Sequence, residues 1–412
     1  MSAKYVIIIP DGAADEPLQS LGGKTPLEAA EIPHMDRIAS EGGQGLVRTV
    51  PEGMEPGSDV AQMSLLGYDP RQFYSGRAPI EAAAKNIRMG SKDWAFRCNL
   101  VTIEDGKMSD HSAGHISTVE AAVLLGSLAA QVGNKSLEFH PGVSYRHLLI
   151  CRDMDFDVRT NPPHDHIGEP VSTLMPTGRG AETMLDLMSR STALFKDHEI
   201  NRARRASGKR PATSIWLWGQ GRQASLPSFQ EKWGLRGAAI TAVDLIRGLA
   251  KLVGFKVIEV PGATGFFDTN YRGKADAAIK ALEENDLVFV HIEAPDEASH
   301  EGNAEIKVKA LERIDELVVA PVYEALKKYP QWRILVMPDH STLVRTRSHC
   351  GGPIPFAMAG SGVIPSGGAG KFRESAAAAE NGAALFSEKG AAAAGLRIEN
   401  GHTLMGYFLR GK

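Results

Sequence analysis

The chain has 412 residues, with 46 basic and 49 acidic side chains for a net charge of −3, and is 43% hydrophobic and 23% charged. That is the balance of an ordinary globular protein of about two or three domains, and it excludes a strongly basic nucleic-acid coat and a polyacidic tail. No apolar run approaches the roughly 18–20 residues of a membrane span, no signal-peptide pattern opens the chain, and three widely spaced cysteines (Cys98, Cys151 and Cys350) make no disulfide framework or CxxC pattern, so a reducing cytoplasm is expected.

Residues 5–9 (Tyr-Val-Ile-Ile-Ile) are a continuous apolar run stopped by Pro10-Asp11-Gly12. A strand without polar alternation is buried on both faces, as in parallel α/β sheets. Thr25-Pro26-Leu27-Glu28 predicts a helix-opening capping box. Asp59 to Leu66 reads as helix, which sets Ser58 at its N-terminus. From Arg77 to Arg210 the pattern changes. Strands alternate more, as in Val143 to Ile150, Asn161 to His166 is loop, and the basic stretch Arg202 to Arg210 reads as a return connection. Residues 77–210 are therefore expected to form a smaller α+β domain inserted into a core made of 1–76 and 211–412. Further buried runs follow at Ser214–Trp218, Leu287–Ile292 and Trp332–Met337. Gly219-Gln220-Gly221 reads as a tight turn. Ala238 to Val253 and Ala304 to Lys328 read as amphipathic helices, the first preceding a strand at Lys256 to Val260. The Ala- and Gly-rich tail near 375–395 is too short to treat as disordered. Strands alternating with helices predict a doubly wound, mostly parallel sheet with ligands at the C-terminal strand ends.

Several fragments place Asp, His or Ser just beyond such a strand or at a helix start: Asp11, Ser58, Asp296 with His300, Asp339 with His340, and His349. Singly, each has a plain reading, Ser58 as a helix cap and Asp11 as a turn residue. Their joint placement points to a site. Asp296 and His300, spaced i, i+4, face one way on a helical turn. Mixed carboxylate and imidazole ligands suit Zn²⁺ or Mn²⁺ better than Ca²⁺. Seven groups are too many for one tetrahedral ion and suit two ions a few ångströms apart, an arrangement that stabilises both oxygens of a phosphoryl transfer. Ser58 is the candidate nucleophile, at a helix end that favours an alkoxide and a bound phosphate. Arg77, His115 and Arg146 are candidates for gripping an acidic substrate through forked hydrogen bonds, and Arg204 lies in the basic stretch suited to a phosphate. The pair His164/His166 has metal-like spacing but sits in a Pro-rich loop.

These residues resemble the cofactor-independent phosphoglycerate mutases of archaeal type, in the alkaline phosphatase superfamily. The matching text is Ile-Pro-Asp-Gly at 9–12, Thr-Pro-Leu-Glu-Ala-Ala at 25–30, Gly-Ser-Asp-Val-Ala at 57–61, Ser-Ala-Gly-His-Ile at 112–116, Pro-Gly-Ala-Thr-Gly at 261–265, Ala-Pro-Asp-Glu-Ala-Ser-His at 294–300 and Pro-Asp-His at 338–340. The resemblance implies an alkaline-phosphatase-like core with two divalent ions, Mn²⁺ or Zn²⁺. Asp11, Ser58, Asp339 and His340 would hold one ion, and Asp296, His300 and His349 the other. Ser58 would carry the phosphoryl group between the two hydroxyls of glycerate, with no bisphosphoglycerate, while the inserted domain grips the small phosphorylated substrate and closes against water. No nucleic-acid or membrane partner is implied, and the oligomeric state stays open. The tract Ile215 to Gly221 resembles a bacterial subgroup proposed to act as homoserine kinases. A phosphotransferase with another small hydroxylated acceptor therefore stays open, as does a phosphomonoesterase.

Overall fold

The computed structural model describes residues 3–223, 225–363 and 385–410. Part of the Ala- and Gly-rich tail read near 375–395 lies outside them. The chain divides into two compact units, one of residues 1–74 with 226–412 and one of residues 75–225.

The first unit is built on an eight-stranded sheet. Its spatial order is Lys256–Ile258, Gly237–Ile240, Leu287–Ile292, Lys4–Pro10, Trp332–Val336, Ile354–Gly360, Gly43–Val47 and Arg397–Ile398. All pairings are parallel except those on either side of Ile354–Gly360, so that strand alone runs against the rest. Every residue of Lys4–Pro10 and Leu287–Ile292 is buried, which is why neither run alternates. Val6, Ile8, Val288, Val290, Ile334 and Val336 pack on one face with Met35, Ile38, Leu282, Leu311 and Val322 from the covering helices. The α/β, mostly parallel architecture matches the expectation.

Two elements differ from the sequence reading. Gly237–Ile240 is a strand, and the following helix runs only over Asp244–Leu252. Alanine is intrinsically the strongest helix former, and burial between neighbouring strands overrides that preference here. The long pattern from Ala304 breaks into helices Ala304–Ile314 and Ala320–Leu326, joined by a π-helical turn at Asp315–Val319. Asp315 in that turn accepts from the backbone N–H of His34 at 3.1 Å and of Met35 at 2.7 Å. It thereby caps helix Pro33–Glu41, whose own N-cap, Ile32, has no polar side chain.

The second unit is an antiparallel five-stranded sheet. The long strand Trp94–Glu104 pairs with Arg146–Cys151 on one side and with Ser214–Arg222 on the other, and its last residues pair with Lys107–Asp110. Leu137–His140 extends the sheet beyond Arg146–Cys151. Helices Thr118–Val132 and Ala181–Lys196 bury Leu124, Leu128, Met184 and Leu187 against it. Ser214–Arg222 therefore belongs to this sheet and not to the large one. Its apolar run comes from being sandwiched here, and the run continues through Gly219-Gln220-Gly221, so no tight turn forms. The basic stretch read as a connection begins inside helix Glu199–Ala206. The units divide at 74/75 and 225/226, against the expected 76/77 and 210/211.

Candidate active site

The site of the first unit grows from three neighbouring parallel strands. Asp11 follows Lys4–Pro10. His291 and Glu293 sit at and beyond the end of Leu287–Ile292, with Asp296 on the helix Ala294–His300 that follows. Asp339 and His340 follow Trp332–Val336. The strands are in register, Pro10 opposite Ile292, so these polar residues come out side by side at the C-terminal edge. Asp11, Asp339, His340 and Asp296 are all buried.

Ser58 opens helix Ser58–Leu65, behind an extended Gly57 that offers no capping side chain. Its hydroxyl lies 3.1 Å from His340 Nε2. One turn on, Gln62 Nε2 donates to Asp339 Oδ2 at 2.9 Å. Asp339 Oδ1 accepts from the backbone N–H of Gly12 at 3.1 Å and of His340 at 2.9 Å. Gly12 has φ +61, and a Cβ there would stand 2.5 Å from Asp296 Oδ1 and 2.6 Å from Thr342 Oγ1. Only glycine suits that turn.

Three imidazoles are oriented alike. His300 Nδ1 lies 2.9 Å from the Arg347 carbonyl, and His349 Nδ1 lies 3.3 Å from the Pro56 carbonyl. A carbonyl only accepts, so each Nδ1 carries the proton. Thr342 Oγ1 donates to Asp296 Oδ1 at 2.5 Å and is left to accept from His340 Nδ1 at 3.1 Å. In all three rings Nε2 is therefore the nitrogen turned toward the carboxylates, where an ion would displace any proton it holds. The Nε2 atoms of His300 and His349 stand 3.1 Å apart and 3.1 and 3.6 Å from the two Asp296 oxygens. That of His340 stands 3.5 Å from Asp11 Oδ1 and from Asp339 Oδ2. Outer partners that fix the tautomer of a ligating histidine are the usual support of a metal site.

The donor set fits divalent cations. Ligand atoms of Asp296, His300 and His349 lie within 4.8 Å of one another, and so do those of Asp11, Asp296 and His340. Asp11 Oδ1 is buried without a hydrogen-bond partner. Burial, and then the carboxylates of Asp339, Glu293 and Asp296, push the Asp11 carboxyl well above its usual range. Burial would also raise Asp296, but the imidazoles of His300 and His349 outweigh it and hold that carboxyl well below the usual range. His300 is correspondingly drawn up to about 9, chiefly by Asp296.

Asp11, Ser58, Asp296, His300, Asp339, His340 and His349 are thus all in one cluster. The sequence reading missed His291, Glu293, Gln62, Thr342 and Lys274. His291 Nε2 lies 2.6 Å from Asp11 Oδ2, and Glu293 shares a third set of ligand atoms with these two. Burial and the nearby carboxylates push Glu293 up to about 8. Lys274, drawn down to about 8 by burial, donates to the His291 carbonyl at 2.9 Å. The available signal was an imidazole inside an otherwise apolar buried strand, which must find a polar partner.

In the second unit Arg77 pairs with Glu81 at 3.3 Å, and the exposed Arg146 lies over the Tyr145 ring at 5.1 Å. They belong to a cluster that the sequence reading saw only in part. Arg97 is buried between Glu81, at 3.2 Å, and the Trp218 ring, at 4.1 Å. His164 packs on Trp218, and His111 on His164 and Tyr145. Arg77 and Arg97 therefore share the Glu81 carboxylate, with the Arg146 charge close to Arg97. His115 is exposed beside His111. Arg204 is different. It is 2% exposed, and its guanidinium donates to Glu120 at 2.8 Å and to the carbonyls of Arg210, Ala113 and Gly114. Those four bonds pin the 113–114 turn and occupy four of the five guanidinium N–H groups, a structural tie where the sequence reading expected a phosphate contact.

The family model described as 2,3-bisphosphoglycerate-independent phosphoglycerate mutase matches residues 39–201. A protein of that name from Methanothrix thermoacetophila is 51% identical over 87% of this chain and 91% of its own. A Geobacter sulfurreducens protein, named as a probable enzyme of the same kind, is 47% identical over 98% of both chains. Among solved structures, a Pyrococcus horikoshii protein superposes with a TM-score of 0.81 at 28% identity, covering 99% of this chain and 97% of its own. The cofactor-independent phosphoglycerate mutase of Thermoplasma acidophilum superposes with a TM-score of 0.67 at 28% identity, covering 100% and 99%. With half of its aligned residues shared over most of its length, the chain belongs to the 2,3-bisphosphoglycerate-independent phosphoglycerate mutase family.

Proposed function

We propose that the protein interconverts 3-phosphoglycerate and 2-phosphoglycerate through a phosphoserine at Ser58, with two divalent ions and no bisphosphoglycerate, in the cytoplasm. The observation that carries this reading is the Ser58 hydroxyl, held at a helix N-terminus 3.1 Å from His340 Nε2 within a buried cluster of carboxylates and imidazoles. Asp296, His300 and His349 would hold one ion, and Asp11, Ser58, Asp339 and His340 the other. The mixed donor set suits Mn²⁺ or Zn²⁺. Such ions, when bound, acidify a serine hydroxyl and screen the phosphoryl oxygens. Ser58 Oγ then attacks phosphorus in line, the bond to the glycerate C3 oxygen breaks, and the glycerate is retained. Its C2 hydroxyl takes the phosphoryl group back from Ser58. The N–H groups of the first turn of Ser58–Leu65 favour the negative charge that gathers there. Arg77, Arg97, Arg146 and the histidines around Trp218 supply the positive surface for the glycerate carboxylate. No helix among the described residues is long and apolar enough to cross a membrane.

The test is incubation with 3-phosphoglycerate and no nucleotide. The expected result is 2-phosphoglycerate, lost by at least about a thousandfold in a folded Ser58→Ala variant. Chelation should abolish turnover and Mn²⁺ restore it. ATP-dependent phosphorylation of homoserine without mutase turnover, or full activity after exhaustive chelation, would overturn the reading.

A further inference from the structure

His291 is wired in the opposite sense to the other three imidazoles of the site. Thr241 Oγ1 accepts the backbone N–H of Val243 at 3.1 Å. The same oxygen lies 3.1 Å from His291 Nδ1. Among the hydrogen bonds of the described residues, the Thr241 hydroxyl proton finds one acceptor, that Nδ1. Nδ1, accepting from Thr241, carries no proton, so the ring's proton sits on Nε2, 2.6 Å from Asp11 Oδ2. The Glu293 carboxyl is further away, at 3.4 Å. Asp11 is left with one oxygen tied down and the other, Oδ1, buried and unpartnered beside His340 Nε2.

We infer that Thr241 and His291 are positioning residues for Asp11, a directional chain from the Val243 N–H through the Thr241 hydroxyl and the His291 ring that anchors Oδ2 and presents Oδ1 alone to an ion. Where His300, His340 and His349 hold a proton on Nδ1 and leave Nε2 for an ion, His291 holds its proton on Nε2 against Asp11 and so cannot itself be a ligand in this tautomer. Without the Thr241 hydroxyl the ring can turn about its side-chain bonds, and the carboxylate it holds is free to swing. Outer partners of this kind change ion affinity by roughly 10–100-fold.

The inference rests on the two-ion reading, and the experiment separates them. The metal-stripped full chain is titrated with Mn²⁺ by calorimetry, alongside Thr241→Val, which keeps the shape and removes the hydroxyl, and Thr241→Ser, which keeps the hydroxyl. Two ions are expected in the wild type. One of them should weaken by about 10–100-fold in Thr241→Val, with the other unchanged, and Thr241→Ser should recover to within about threefold. Nitrogen-15 NMR of the stripped wild type should find the His291 proton on Nε2. Equal binding of both ions by every variant overturns the inference alone, as does a proton on Nδ1. A Thr241→Ser variant as weak as Thr241→Val overturns it in favour of simple packing. A third tightly held ion that disappears in His291→Gln overturns it by making the ring a ligand. A wild type that binds no Mn²⁺ removes the two-ion reading itself.

Discussion

Lys307 is fully buried and ties the site loops together with one ammonium. Its Nζ donates to Asp15 Oδ2 and to the Thr342 carbonyl, each at 2.8 Å, and to the Ala14 carbonyl at 3.4 Å. Ala14 and Asp15 follow the turn that carries Asp11, while Thr342 fixes Asp296 and His340. Lys307→Met removes the charge at nearly constant volume. Two opposite charges 2.8 Å apart attract by about 6 kcal/mol at an effective dielectric constant of about 20, but most of that offsets the desolvation of both groups. Burial indeed draws Lys307 below its usual range despite Asp15. Removing one partner of a buried pair is the expensive change, about 3–5 kcal/mol, because the other charge stays buried. Asp15 would keep the N–H groups of Glu16 at 2.8 Å and Val344 at 3.2 Å, which places the loss near the lower end, about 3 kcal/mol. That corresponds to roughly 150-fold faster opening, read by amide hydrogen exchange in strands Lys4–Pro10 and Trp332–Val336. A Lys307→Met/Asp15→Asn variant should recover more than half of it. Exchange within about threefold of wild type in the single variant, or a double variant less stable than Lys307→Met, would refute the reasoning.

Two further outcomes are expected. His147 in the second unit is buried and held neutral, its pKa drawn down to about 4 chiefly by burial; Nδ1 accepts from the Gly142 N–H at 2.9 Å and Nε2 has no partner. The unfolded chain takes up a proton near pH 6.5 that the folded unit refuses. Stability is therefore intact above about 6.5 and falls by about 3 kcal/mol as the pH drops to 4. Exchange in strand Arg146–Cys151 should accelerate over that window, and His147→Gln should flatten the response. Gly12→Ala forces a left-handed residue, at about 1–2 kcal/mol, and drives a methyl into Asp296 and Thr342. Chelator competition should find Mn²⁺ bound at least about tenfold more weakly, and unchanged affinity would contradict the described turn.

Legibility in the sequence followed the kind of interaction. The buried strands at 5–9, 287–292 and 332–337 were readable because burial on both faces removes polar alternation, and a polar residue just past such a run is conspicuous. Asp11, Asp296 and Asp339 were found that way. The same rule misassigned Ser214–Arg222, since an apolar run records burial but not which sheet supplies it. Gly237–Ile240 was hidden because glycine and alanine carry almost no period. Gln62, Thr342 and Thr241 were invisible for a different reason. Each acts through a hydrogen bond to a residue more than 45 positions away, and single polar residues in a helix, a loop or a three-residue strand carry no local pattern. Arg204 shows the converse, a basic residue in a basic stretch whose charge is absorbed by Glu120 and three carbonyls.

The charge balance of the site connects fold to activity. Asp11, Glu293, Asp296 and Asp339 bring four carboxyl groups into one buried cluster, and the buried ammonium beside them is Lys274. A cluster of this sign is unfavourable in isolation, because burial and like charge both resist ionisation. Part of the strain appears in Asp11 and Glu293, which are driven toward their neutral forms, while Asp296 stays ionised through His300 and His349. The parallel sheet can hold these groups together only because its hydrophobic faces, over the central strands, stabilise the unit independently of them. Divalent cations reverse the sign of the problem. Each removes repulsion among groups that the strands already hold within reach, and so contributes to folding whatever it contributes to binding. A site that binds the ions and the phosphoryl group strongly must be a poor site when empty, and the stability it lacks has to come from the buried strands and from fixed pairs such as Lys307 and Asp15.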